Sequence, residues 1–261
     1  MNPNIEQHFR ESELPFARKS NDWINQVINE YRVVLTDFLN LRELTLLKKL
    51  VNRYEEINVY SYGGYDKAEL KRAIIAPGYY KLDKSDFEIS LIEINYSDKF
   101  IKLSHGKILG SILGSGIDRS VIGDILNQKN RWQIIVKSNI KEFLINSVDK
   151  IGRDKIRLKE IDISQIIDNK NDWETTYQVL PSFRLDVVIS NAFNLSRKIA
   201  KDLITHDQVK LNWFAINKPN EELKLNDVIS VRGCGRVRVN SYEGQSKKGK
   251  LKSKLDIIKS K

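Results

Sequence analysis

The chain has 261 residues, is 41% hydrophobic and 30% charged, and carries a net charge of +10. That balance suits a globular protein with a polar surface, and no run approaches the roughly 18 consecutive apolar residues of a membrane span. A single cysteine, Cys234, excludes an internal disulfide framework, and His8, His105 and His206 are too few and too scattered for a conventional zinc site.

The length allows two or three small domains. The first 16 residues hold no apolar signal core and are acidic enough to argue against a transit peptide. The expectation is a soluble, cytoplasmic protein without a transmembrane segment. A basic end could still touch an anionic membrane surface.

Residues 4–53 read as helical. Phe16, Trp23, Val27 and Tyr31 recur at roughly helical spacing, as do Leu39, Leu46, Leu47 and Leu50. Thr36 and Asp37 interrupt the pattern and are expected to cap the second helix. Short strands are expected at 59–62 and 72–76, with Gly63–Gly64 as a turn and Pro77–Gly78 as a boundary.

The middle reads strand 87–97, helix 103–116 capped by Ser104, strands 121–126 and 132–137, helix 138–152 ending at Gly152, and strand 155–161. This is the βαββαβ order of ferredoxin-like and RNA-recognition domains. Trp132 and Tyr96 suit core or edge positions as readily as base stacking. Asp118 and Asp124 are near in sequence, but such pairs are commonplace. Residues 168–173 read as a polar linker.

Charge is concentrated at the end. Residues 182–261 hold 17 Lys and Arg against 8 Asp and Glu, a net +9, leaving the first 181 residues close to neutral. Such asymmetry points to a polyanion, most often nucleic acid. Ser182 reads as a helix cap, with Leu185, Val188, Ile189 and Ala192 as one apolar stripe ended by Asn194. Ser196 caps a second helix whose Ile199, Ala200, Leu203 and Ile204 are expected to face inward. Strands follow at 209–213 and 228–233.

Arg184, Arg197 and Lys198 fall in first helical turns, where the macrodipole disfavours cations and favours anions. Together with Lys201, Lys210, Arg232, Arg236 and Arg238 they form a candidate phosphate-binding surface, and Lys247 and Lys248 in the tail extend it. Singly, each lysine is better read as surface solvation; the cluster is better read as a binding site. Asp186 is expected to offset Arg184 or the dipole. The Lys-rich tail reads as a disordered, solvated end.

These residues resemble the S4 RNA-binding domain, of the αL type: RLD opens the first helix, SRK the second, followed by LI, VKLN, DVISV and a Gly-Arg. Where S4 domains usually place Gly after the second helix stands Asp207, which tolerates a left-handed backbone. HFR near the start, YGGY, AELKRAIIAP, HGKILGSILGSGIDRSVIGDIL and KLNW extend the likeness to YlmH-type S4 proteins, nearest to the cyanobacterial and plastid branch called photosystem II S4 domain protein. The resemblance implies binding of structured RNA, either 23S rRNA or a tRNA held on the large ribosomal subunit. It also implies a part in rescue of stalled ribosomes. The alternative it carries is association with thylakoids or photosystem II.

An enzyme reading is weaker. RLD also surrounds the catalytic Asp of pseudouridine synthases, but here a helical stripe follows it. The chain has no nucleotide loop, HExxH, GxSxG or paired cysteines. The expectation is an α+β, non-catalytic RNA-binding protein that needs no cofactor. Its parts are a helical N-terminal region with short strands (1–80), a ferredoxin-like domain (81–166), a linker (167–181), an S4 domain (182–242) and a basic tail (243–261).

Overall fold

In the computed structural model, which describes residues 13–167 and 173–259, the first helix is α1 (Leu14–Glu30). It buries Ala17, Ser20, Ile24 and Val27 and ends at Tyr31 in a left-handed conformation. Strand β1 (Val34–Leu39) follows, where the sequence suggested helix. Thr36 is therefore a strand residue: its hydroxyl accepts the Ala73 N–H at 2.9 Å. Asn40 is the cap of α2 (Leu41–Val51). Its side chain accepts the Glu43 N–H, and the Glu43 carboxylate accepts the Asn40 N–H.

Strands β2 (Ile57–Tyr62) and β3 (Lys71–Pro77) complete an antiparallel sheet of order β1-β3-β2. One face packs under the two helices through Leu39, Leu47, Leu50, Ala73 and Ile75. Ile74 and Ala76 point the other way, onto Phe87. Both faces of β3 are thus covered, as its unbroken run of small and apolar residues requires.

The middle domain comprises β4 (Ile89–Asn95), α3 (His105–Gly114), β5 (Ile122–Gln128), β6 (Arg131–Lys137), α4 (Lys141–Ser147), a hairpin of β7 (Lys150–Ile151) and β8 (Asp154–Lys155), and β9 (Arg157–Ile161). The four long strands lie antiparallel in the order β5-β6-β4-β9, the ferredoxin-like arrangement. Ser104 caps α3. The second helix is shorter than expected: it stops at Ser147, and Gly152 turns the small hairpin.

The helices cover one face of this sheet, through Ile108, Ile112 and Leu144 against Ile92, Ile94, Ile134 and Val136. The opposite face, which an RNA-recognition motif leaves open for bases, is closed. Leu91 and Ile135 are buried on it, and a Cβ at Gly123 would lie 2.9 Å from the Phe38 ring. Lys137 pairs with Asp37 at 2.7 Å, and Arg72 donates to the carbonyls of Thr36, Phe87 and Glu88. Gln133 closes the far side by bonding the backbone of Gln165 and Ile167.

The second compact unit begins after residue 170. Residues expected as linker form β10 (Glu174–Leu180). The helix pair follows, α5 (Leu185–Ala192) and α6 (Arg197–Thr205), then β11 (Val209–Leu211), β12 (Phe214–Ala215), β13 (Val228–Val231), β14 (Gly235–Gln245) and β15 (Leu251–Lys259). The tail expected to be disordered thus holds the end of β14 and an interior strand, β15. β15 lies between β10 and β14 in a six-stranded antiparallel sheet of order β10-β15-β14-β13-β11-β12. Alternation sorts its faces. Val209, Ile229, Val231, Val237, Val239, Leu255 and Ile257 meet Leu185, Val188, Ile189, Ala200 and Ile204 in one core. Among the described residues no helix is long and apolar enough to cross a membrane.

Candidate RNA interface

The start of α5 is built by the loop that precedes β13. Its first N–H groups, of Leu185 and Asp186, donate to the carbonyls of Glu221 and Pro219 at 2.9 and 3.0 Å. Arg184 is the N-cap residue and bridges to Glu222. The expected Ser182 cap is not made in that form; the Ser182 hydroxyl sits 3.5 Å from the Arg184 N–H. The anion site expected from free N–H groups at this helix is therefore already occupied by protein carbonyls. What remains to meet an anion there is the side chains.

Those side chains are organised by Asp186, which has no exposed surface. Its carboxylate accepts Arg184 Nε at 3.2 Å and an Arg197 terminal nitrogen at 2.5 Å. Burial pushes this carboxyl up, but the hydrogen bonds and charges of Arg197 and Arg184 outweigh it and hold the group below the usual carboxylate range. The two arginine side chains stay 40% and 53% exposed, and each guanidinium has more N–H donors than its one bond to Asp186 uses. One buried anion thus clasps α5 to α6 and fixes two cations side by side.

Ser196 caps α6 by accepting the Ile199 N–H at 3.2 Å. Arg197, Lys198 and Lys201 share one turn of that helix and are all exposed. Ala200 and Ile204 are buried as expected, but Ile199 is 48% exposed, next to these cations rather than in the core. Asp207 takes the left-handed conformation its position demands, with φ of 55°.

The remaining candidates fall into two places. Phe183 packs edge-on against Tyr242 at 6.3 Å, so the start of α5 lies along the half of the β14–β15 hairpin that ends in exposed Lys247 and Lys248. Arg236 lies toward the opposite end of β14, roughly 20 Å from Tyr242 along the strand. There Lys210, Ser230 and Arg236 form one cross-strand row, with Arg232 exposed in the adjoining turn. That row is on the sheet face turned away from the helices, since its neighbours Val209, Ile229 and Val237 face the core. Arg238, next on the same face, is committed to structure: it grips the buried Asp256 through Nε at 3.0 Å and a terminal nitrogen at 2.6 Å. The ten cations expected to form one surface are therefore divided between the helix end and the far sheet face.

Sequence reasoning passed over Trp173, which lies 5.1 Å from Arg236 and 5.0 Å from Arg238, ring centroid to guanidinium carbon. It also passed over Tyr177, whose ring sits 5.2 Å from Lys254 Nζ. The alternation of residues 174–180 was the available signal.

Residues 13–80 match the family described as "YlmH, N-terminal", residues 83–165 the "Putative RNA-binding domain in YlmH", and residues 183–229 the S4 domain. The chain is 34% identical over 247 residues to ribosome-associated protein quality control protein P2 of Bacillus subtilis, covering 95% of this chain and 96% of that one. The chain belongs to the YlmH family of S4-domain RNA-binding proteins. A solved structure, cell division protein ylmH from Streptococcus pneumoniae, superimposes with a TM-score of 0.55 at 38% identity, over 62% of this chain and 98% of that one. Small ribosomal subunit protein uS4 of Ralstonia pickettii is 33% identical over 73 residues, 28% of this chain and 35% of its own length.

Proposed function

We propose that this YlmH-family chain binds structured RNA of the large ribosomal subunit, or a tRNA held there, without catalysing a reaction, and acts in quality control of stalled ribosomes. The observation that carries the reading is the Asp186 clasp, which presents Arg184 and Arg197 beside exposed Lys198 and Lys201. Guanidiniums held in place by a buried carboxylate lose little freedom on meeting phosphate, which favours tight and oriented docking. The name of the Bacillus subtilis relative supports the ribosomal setting.

The test is crosslinking and sequencing of bound RNA in cells, comparing the wild type with Lys198→Glu/Lys201→Glu and with Arg184→Ala/Arg197→Ala/Lys198→Ala. The lysine pair is exposed, so its reversal leaves the fold intact. Discrete large-subunit rRNA or tRNA crosslinks that vanish in both variants are expected. In vitro, losing two phosphate contacts should lower the slope of log K against log salt by about two. RNA crosslinks unchanged in both variants would sink the helix-pair mechanism. Retention on thylakoids without RNA would transfer the reading to the photosystem alternative.

A further inference from the structure

The strands that extend the sheet beyond the S4 match, β10, β14 and β15, build a face that the helix pair does not use. We infer that this face is a second RNA site, one that takes an unpaired, single-stranded segment by stacking bases on aromatic rings flanked by cations. The inference rests on the reading that the chain binds RNA, and it assigns a different class of RNA to a different surface.

Period-two alternation puts Trp173, Thr175, Tyr177 and Val179 on the outer side of the edge strand, opposite the side that holds buried Leu180. Tyr177 is 74% and Val179 52% exposed, although neither contributes to the core. Trp173 and Tyr177, four residues apart, stand roughly 13 Å from one another along the strand. Cations lie against both rings. Arg236 and Arg238 flank the Trp173 ring, and Lys254, anchored by Glu243 at 3.0 Å, lies over Tyr177.

The rings are rigidly supported. Arg238 is locked to Asp256, whose carboxylate also accepts Thr175 Oγ1 at 2.7 Å and Asn240 Nδ2 at 3.0 Å. Exposed Lys252 and Lys210 lie on the same face, at the two sides of this group, and supply charge for phosphates. Rings open on one side and interleaved with lysine and arginine are the chemistry of sequence-tolerant single-strand binding. A duplex, with its bases stacked inside, cannot use such rings. Positive charge on the face disfavours a basic partner and favours phosphates.

The experiment uses the full chain and two labelled probes, a 12-nucleotide oligouridylate and a 20-nucleotide RNA hairpin, with binding read by fluorescence anisotropy at 50 mM salt. Tyr177→Ala, which removes a stacking ring, and Lys210→Glu, which reverses a charge that attracts phosphate, both at exposed positions, should each weaken oligouridylate about tenfold and leave hairpin affinity within about twofold. Lys198→Glu/Lys201→Glu should do the reverse. Failure of the helix-pair reading alone would appear as a hairpin affinity indifferent to the lysine pair while oligouridylate still responds to Tyr177. The inference is overturned if the wild type ignores oligouridylate, or if both outer-face variants bind it as the wild type does. It is overturned equally if those variants weaken both probes in parallel. A change in the size of the free protein by light scattering on Tyr177→Ala, with oligouridylate binding unaltered, would assign the face to a second copy of the chain instead.

Discussion

Asp186 lies at the point where the fold and the proposed RNA contact share the same two arginines. Its carboxylate has no exposed surface, so it depends on Arg184 and Arg197 to offset its lost hydration. The arginines depend on it in turn for their spacing. Asp186→Asn keeps the size but removes the charge and one of the acceptor oxygens. We expect a loss of about 1.5–3 kcal/mol of stability, the range for hydrogen bonds to charged groups, read as a lower denaturation midpoint of the C-terminal unit. RNA affinity should fall as well, although the substitution raises net positive charge. That second outcome separates placement from simple attraction: if the added charge strengthened binding at every salt concentration, the clasp would have no positioning role. The RLD motif made the first arginine and the carboxylate legible in the sequence. The Arg197 contact was not legible, because it joins residues eleven apart across a helix–helix turn.

At the scale of elements, local signals were readable and distant pairings were not. Ser104, Ser196 and the apolar stripe of α5 announce helices through neighbouring residues, and the structure contains those helices. β1 misleads because Val34, Leu35, Phe38 and Leu39 are spaced like a helical face; the strand buries residues on both sides and carries a bulge between Leu35 and Phe38. β15 misleads through composition. Its lysines suggest a solvated tail, yet Ser253, Leu255 and Ile257 alternate inward, and its partner in β10 lies about 80 residues earlier. The closed face of the middle sheet was equally hidden, since nothing in β5 alone says that Phe38 lies over Gly123. That contact predicts two substitutions of opposite sign. Gly123→Ala drives a methyl into the Phe38 ring and Ile135, at 2.9 and 3.1 Å, and should cost about 1–3 kcal/mol. Gly110→Ala, inside α3 with no atom near the added Cβ, should stabilise by about 0.5–1 kcal/mol. Thermal melts of the two variants check both; a stabilised Gly123→Ala would mean that the face is open.

Across the whole molecule, Met1–Lys170 and Asn171–Lys261 form two compact units whose buried acids respond to pH in opposite directions. In the first, Asp124 accepts the Tyr65 hydroxyl and the N–H groups of Glu69 and Leu70 at 2.8, 2.8 and 3.1 Å. Burial, and then the charge of Glu69, push its carboxyl up to about 6 against those hydrogen bonds. Glu43, raised mainly by burial, adds to the same trend. A raised acid means that the folded unit holds its proton more tightly than the unfolded chain. The associated stability is fully present below the unfolded value near 4 and is lost as pH rises through about 6. In the second unit, Asp256 is buried, yet its bonds to Thr175, Asn240 and Arg238 hold it below the usual range, as those to Arg197 and Arg184 hold Asp186. Their contribution is present above about 4 and is lost as pH falls through the lower folded values. Moving from pH 7 to pH 5 should therefore strengthen the first unit by about 1 kcal/mol through Asp124, and acidification below pH 4 should weaken the second. Hydrogen exchange reads the two separately, through the amides of Glu69 and Leu70 in one and of 253–257 in the other. Protection at Glu69 and Leu70 should rise from pH 7 to pH 5, after correction for intrinsic exchange, and Asp124→Asn should abolish most of that rise. Equal pH trends in both sets of amides would show that the Asp124 carboxyl is ionised at an ordinary value, with its three donors rather than its burial in control.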